Sequence, residues 1–122
     1  HFDWAFKFLN KFPQLRINIP HLGYSLRKIM DILNRFENTY TDPAFLISLL
    51  RKNNQRYLNF IDTYHKRIMM GSDAIISNPI EEITSYVDYF SHLSMPDQVK
   101  HSILRDNAYR FLSLPAERFT LL

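Results

Sequence analysis

Apolar residues recur at helical spacing from Phe2 through Ala5, Phe6 and Leu9 to Phe12, and Pro13 ends the run, because proline disfavours helix at the residue before it. Asp3 stands where such a helix is capped. Residues 15–19 (LRINI) switch to a period of two, with Leu15, Ile17 and Ile19 on one face and Arg16 and Asn18 on the other, which predicts a short strand. Ser25 then suits the cap of a helix whose stripe is Leu26, Ile29, Met30, Leu33 and Phe36. Residues 38–41 (NTYT) are short and β-prone. Asp42-Pro43 reads as a cap followed by proline at the first helical position, opening a helical pattern from Ala44 to Tyr64. The polar triplet at 52–54 interrupts that pattern, so one long helix and two shorter ones stay equally open. Residues 67–70 (RIMM) predict a third strand. Asn78-Pro79 with Glu81 and Glu82 marks another helix start, suited to the helix dipole, with Ile83, Val87 and Phe90 as its inner stripe. A further helix carries Val99, Ile103 and Leu104, and Asp106 caps a last one over 107–112. Strands alternating with helices predict an α/β fold with parallel strands joined by helical crossovers.

Composition narrows the function classes. A chain of 122 residues can bury one real core, and 46% hydrophobic with 22% charged residues is a globular balance, which excludes disorder. Fifteen Lys+Arg against twelve Asp+Glu leave +3, but the basic residues are dispersed, the longest runs being Arg27-Lys28, Arg51-Lys52 and Lys66-Arg67. Nucleic-acid binders concentrate positive charge on one face, so no nucleic-acid partner is expected. The absence of cysteine removes disulfides and thiolate metal sites. No apolar run approaches the roughly 20 residues of a membrane span, and the first residues lack the basic head and apolar stretch of a secretion signal. The expectation is a cytoplasmic protein with no membrane partner.

The chemistry gathers at the two glycines. Gly23 closes the turn PHLG after the first strand, and Gly71 opens GSD after the third, so His21 and Asp73 stand at strand ends. Strand ends are where α/β proteins display catalytic side chains, and imidazole and carboxylate are the groups that hold metals and move protons. Gly-Ser-Asp is also ordinary turn chemistry, and a strand-end histidine can simply bond to backbone. Strict alternation places His21 on the side of Ile17 and Ile19, but Pro20 permits a shift of register, so its direction stays open. Tyr24, Tyr40, Asp42 and Ser72 fall near the same end and read as turn, cap or rim residues. His65 falls at the opposite end, and His92 and His101 on the outside of the last helices.

Residues 12–23 (FPQLRINIPHLG) resemble the sixth-strand region of the amidohydrolase superfamily, in its amidohydrolase-related branch. Residues 67–73 (RIMMGSD) resemble the eighth-strand motif of the same proteins, and residues 103–112 (ILRDNAYRFL) resemble their closing helices. The resemblance implies the C-terminal portion of a (β/α)8 TIM barrel over residues 1–122, with about three parallel strands near 15–19, 38–41 and 67–70, flanking helices and closing C-terminal helices. A full barrel needs about 250 residues. The resemblance also implies a metal-dependent hydrolase, in which metal-activated water attacks an amide, ester or related bond of a small molecule. A nonoxidative decarboxylase of the same family is the alternative, and a non-catalytic α/β protein-interaction module is the alternative of another class. By resemblance Asp73 binds the metal and takes the proton of the attacking water. His21 is a second ligand, or it contacts the water or substrate. The metal is expected to be zinc, with manganese or iron suited to the same donors. The family's first-strand His-X-His pair is absent from this sequence, so the other partner expected is the remainder of the barrel or another chain, and the isolated chain is expected to be inactive.

Overall fold

The computed structural model describes residues 3–52, 54–74 and 78–115. The first helix, α1 (Asp3–Lys11), buries Ala5 and Leu9 and half-buries Phe6, while Phe12 lies exposed beyond its end. Strand β1 is Ile17–Ile19, shorter than the alternation of 15–19 predicts. Leu15 N–H turns back to the Phe12 carbonyl, and the Arg16 side chain reaches the Arg110 carbonyl and the Ser113 hydroxyl instead of continuing the ladder. Helix α2 (Leu26–Arg35) follows, then β2 (Thr39–Thr41). The two strands pair in parallel with Ile17 opposite Thr39 and Ile19 opposite Thr41. The expected third strand over 67–70 is reduced to a single parallel bridge, Ile68 opposite Thr41. Met69 N–H still bonds the Thr41 carbonyl at 2.9 Å, but the next donor, Met70 N–H, leaves the sheet for the Ile103 carbonyl at 2.9 Å.

The long helical pattern resolves into α3 (Ile47–Lys52) and α4 (Asn54–Tyr64). Residues 43–46 form a turn rather than the first helical turn that Asp42-Pro43 suggests, because the Asp42 carboxylate accepts from neighbouring loops and Phe45 adopts a positive φ of 62°. Helix α5 (Pro79–Ser91) begins at Pro79, as the Asn78-Pro79 start predicts. Its inner stripe is Tyr86 and Phe90, and Ile83 and Val87 face out. The Tyr86 hydroxyl sets that rotation by donating to the Pro43 carbonyl at 3.1 Å and accepting from Ile47 N–H at 3.0 Å. Helices α6 (Asp97–His101) and α7 (Asn107–Leu112) are joined without a break by a π turn, Ser102–Asp106, so Asp106 does not cap a new helix. The wider turn leaves the Ile103 carbonyl open to Met70 N–H.

One large core joins α2, α4, α5 and α6 through Ile29, Leu33, Phe60, Ile61, Phe90 and Val99. A smaller cluster, Ala5, Leu9 and Ile32, seats α1 on the other side of α2. On α2 the buried face is therefore Leu26, Ile29, Ile32 and Leu33, with Met30 exposed and Phe36 half-buried. Each fully buried aliphatic side chain contributes roughly 1.5–3 kcal/mol. Among the described residues no helix is long and apolar enough to cross a membrane.

Both outer residues of β2 are fully buried threonines, and they differ in one respect. Thr41 Oγ1 donates to the Ile19 carbonyl at 2.6 Å, whereas Thr39 Oγ1 has no partner among the described residues. An unpaired buried hydroxyl costs about 1–3 kcal/mol. Thr39→Val is accordingly expected to raise stability by about 1 kcal/mol, and Thr41→Val to lower it by about as much. Urea unfolding of the two isosteric variants checks the opposite signs.

Candidate functional site

Parallel pairing sets the C-terminal ends of β1, β2 and the Ile68 bridge side by side, and the loops that leave them are laced together. Asp42, just beyond β2, is at the centre. It is 8% exposed, and its carboxylate accepts from Asn18 Nδ2 at 2.5 Å, His21 N–H at 3.2 Å and Ala44 N–H at 3.1 Å. Its backbone carbonyl accepts from Leu22 N–H at 2.8 Å. Gly71 passes directly over it: a Cβ there would lie 3.3 Å from Asp42 Cβ and Cγ, a tight contact that any larger residue would make only by shifting the Asp42 side chain. Phe45 N–H bonds the Ser72 carbonyl at 3.4 Å and so joins the second loop to the third.

These bonds hold an unusual backbone. Residues 21–24 all have positive φ, at 57°, 50°, 58° and 54°, a short left-handed turn in which only Gly23 is a glycine. Left-handed conformation costs roughly 1–2 kcal/mol per ordinary residue, so the turn exists because its surroundings impose it. Within it the His21 ring has a defined tautomer. Nδ1 lies 2.9 Å from the Ala44 carbonyl, which can only accept, so Nδ1 carries the proton in the neutral ring and Nε2 presents its lone pair. The ring is flanked by Tyr24, with centroids 5.0 Å apart, and by the edge of Phe45 at 6.5 Å.

Asp73 lies at the end of the third segment. It is exposed, and its φ of 56° is one that aspartate tolerates better than most residues. It lines a cavity of about 430 Å³ with Phe45, Ser72, Glu81 and Tyr86. His21 lines a separate cavity of about 330 Å³ towards the starts of α2 and α4. The structure thus places both predicted residues at the same edge of the strands and brings His21 together with Asp42, while Phe45 stands between His21 and the Asp73 cavity. Tyr86 senses the charge of both carboxylates. Burial pushes its hydroxyl pKa up, and Asp42 and Asp73 add to the rise against bonds to the Ile47 and Leu46 backbone, so it stays a protonated donor to the Pro43 carbonyl.

Asp42 is the residue that sequence reasoning set aside as a cap. Of the other residues considered, Tyr40 packs edge-on against Phe111 with centroids 5.3 Å apart. Ser72 Oγ accepts from Ala74 N–H at 3.2 Å. His65 bonds the Asp62 carbonyl, and the exposed His92 pairs with Asp88. Among the described residues no group of three or more His, Cys, Asp or Glu comes together to hold a metal.

The family model described as amidohydrolase matches residues 6–114. A solved, uncharacterized TIM-barrel protein from Bordetella bronchiseptica shares the fold at a TM-score of 0.67 and 23% identity, over 88% of this chain and 37% of that one. The chain therefore has the architecture of part of a (β/α)8 barrel and spans little more than a third of that neighbour's length. No curated protein matches the chain.

Proposed function

We propose, from the premise that the chain belongs to the amidohydrolase family, that it supplies the C-terminal strands and helices of a barrel hydrolase acting on an amide, ester or related bond of a small molecule. The observation that carries this reading is the His21 tautomer at the rim formed by the ends of β1, β2 and the Ile68 bridge, where Nδ1–H is committed to the Ala44 carbonyl and Nε2 is left as an acceptor. Enzymes of this architecture work at that rim, with side chains drawn from several strand ends.

In this reading Asp73 receives the proton of the attacking water as oxygen bonds to the substrate carbonyl carbon, and it returns that proton to the departing nitrogen or oxygen. His21 Nε2 orients the water or a polar substrate group. Asp42 touches neither water nor substrate: by fixing the left-handed turn it acts as a positioning residue. A catalytic zinc needs about three protein ligands and an open position. His21 and Asp73 line different cavities and number two, so the described residues do not by themselves make such a site. A divalent metal, with zinc the first choice, would take its other donors from the remainder of the barrel. The same remainder would cover the exposed Trp4, Phe8 and Phe12 beside β1, which among the described residues pairs only with β2.

The chain joined to the N-terminal strands and helices of a family barrel is expected to hydrolyse small esters, lactones or amides, and the chain alone to show no turnover. His21→Gln is expected to lower kcat of the joined protein about a hundredfold. Release of carbon dioxide from aryl carboxylates, scored in the same assay, would replace hydrolysis by decarboxylation. A kcat unmoved by His21→Gln removes the role given to the imidazole.

A further inference from the structure

The cavity beside His21 is furnished for a ligand independently of any hydrolysis. Its volume, about 330 Å³, lies at the lower end of the roughly 300–1,000 Å³ of small-molecule sites. Leu26, Leu46 and Leu49 give it apolar walls, and Ser25, Arg56 and Tyr57 give it polar groups. No lining side chain is a carboxylate.

The polar groups are unspent. Tyr57 is 8% exposed, yet its hydroxyl has no hydrogen-bond partner among the described residues. Buried hydroxyls are almost always paired. Tyr57 Oη is not among the fully occluded unpaired atoms, so it keeps accessible surface, and Tyr57 lines this cavity. Burial raises its pKa, opposed more weakly by Arg56, and the group remains an O–H donor at neutral pH. Arg56 is exposed and makes no ion pair among the described residues. Ser25 occupies the position before α2 without a side-chain bond to the helix. Helix α2 begins at this cavity, and helix starts carry positive potential.

We propose that this cavity binds a small organic acid, its carboxylate held by the Arg56 guanidinium and the Tyr57 hydroxyl and its apolar body laid against Leu26, Leu46 and Leu49. A single guanidinium beside a neutral hydroxyl matches one negative charge, and the leucine walls reject a bare, fully hydrated anion. The His21 ring forms part of the wall, so occupancy is reported at the left-handed turn.

The test is a titration of the 122-residue chain followed by amide ¹H–¹⁵N spectra, with sodium benzoate as probe and benzamide and inorganic phosphate as controls. Benzoate is expected to shift the amides of Leu22, Ser25 and Tyr57 saturably, with Kd on the order of 1 mM. Benzamide, which lacks the charge, and phosphate, which lacks the apolar body, are each expected to bind about tenfold more weakly or worse. Arg56→Gln, at an exposed position that leaves the fold intact, is expected to weaken benzoate about tenfold, and Tyr57→Phe about threefold. Shifts centred elsewhere, equal binding of benzamide or phosphate, or benzoate affinity unchanged in Arg56→Gln would each overturn the assignment.

Discussion

Asp73→Asn is expected to lower kcat of the joined barrel about a thousandfold, within the range that positioned acid–base groups contribute, while leaving stability within about 0.5 kcal/mol. The two halves of that expectation come from different features. Asp73 is exposed, so the fold gains little from its charge. Its φ is 56°, and asparagine occupies that region at least as readily as aspartate, so the substitution keeps the turn and the hydrogen-bonding shape and removes the basic oxygen. Alanine would confound the result by adding the left-handed penalty. Steady-state kinetics with a parallel urea melt separates the readings. A kcat within about fivefold of the parent sinks the proton-acceptor role, and a large stability loss would mean that the carboxylate is structural.

Asn107→Ala is expected to destabilise the chain by about 3 kcal/mol, visible as a fall of about 10 °C in Tm. Asn107 is fully buried. Its Nδ2 donates to the His65 carbonyl at 2.5 Å and the Ile68 carbonyl at 2.6 Å, and its Oδ1 accepts from Arg110 Nη2 at 2.7 Å. Removing the amide leaves the buried Ile68 carbonyl and the half-buried His65 carbonyl without that donor and opens a cavity beside Ile68, changes among the recognised causes of large losses. Since a domain of this kind is stable by only about 5–15 kcal/mol, the change is a sizeable share of the total. A loss under about 1 kcal/mol would show that water or a shifted backbone replaces the amide without difficulty.

The parallel order of elements could be read along the chain because it depends on local periodicity. Period two at Ile17 and Ile19, period 3.6 through α2 and the Asn78-Pro79 start are all properties of short windows. What could not be read depends on residues far apart. Asp42 followed by proline has the local signature of a helix cap, and nothing nearby reveals that Asn18 and His21, 24 and 21 positions away, compete for its oxygens. The third strand fails at Met70 because a π turn more than thirty residues on offers a better acceptor, which no strand propensity registers. Ile83 and Val87 fit a helical stripe as well as Tyr86 does. The choice was made by a hydroxyl reaching back to Pro43. Direction was the other gap. Alternation left the side of His21 open, and the left-handed turn decides it by rotating the residue out of the strand's two-sided pattern altogether.

That turn also has a consequence for biosynthesis. The ribosome delivers His21 well before the residues that shape it, since the carbonyl that fixes its ring belongs to a residue 23 positions later. Until that segment emerges, the Ala44 carbonyl that holds the imidazole is missing. The conformation of His21 is therefore set in large part by Asp42 and Ala44.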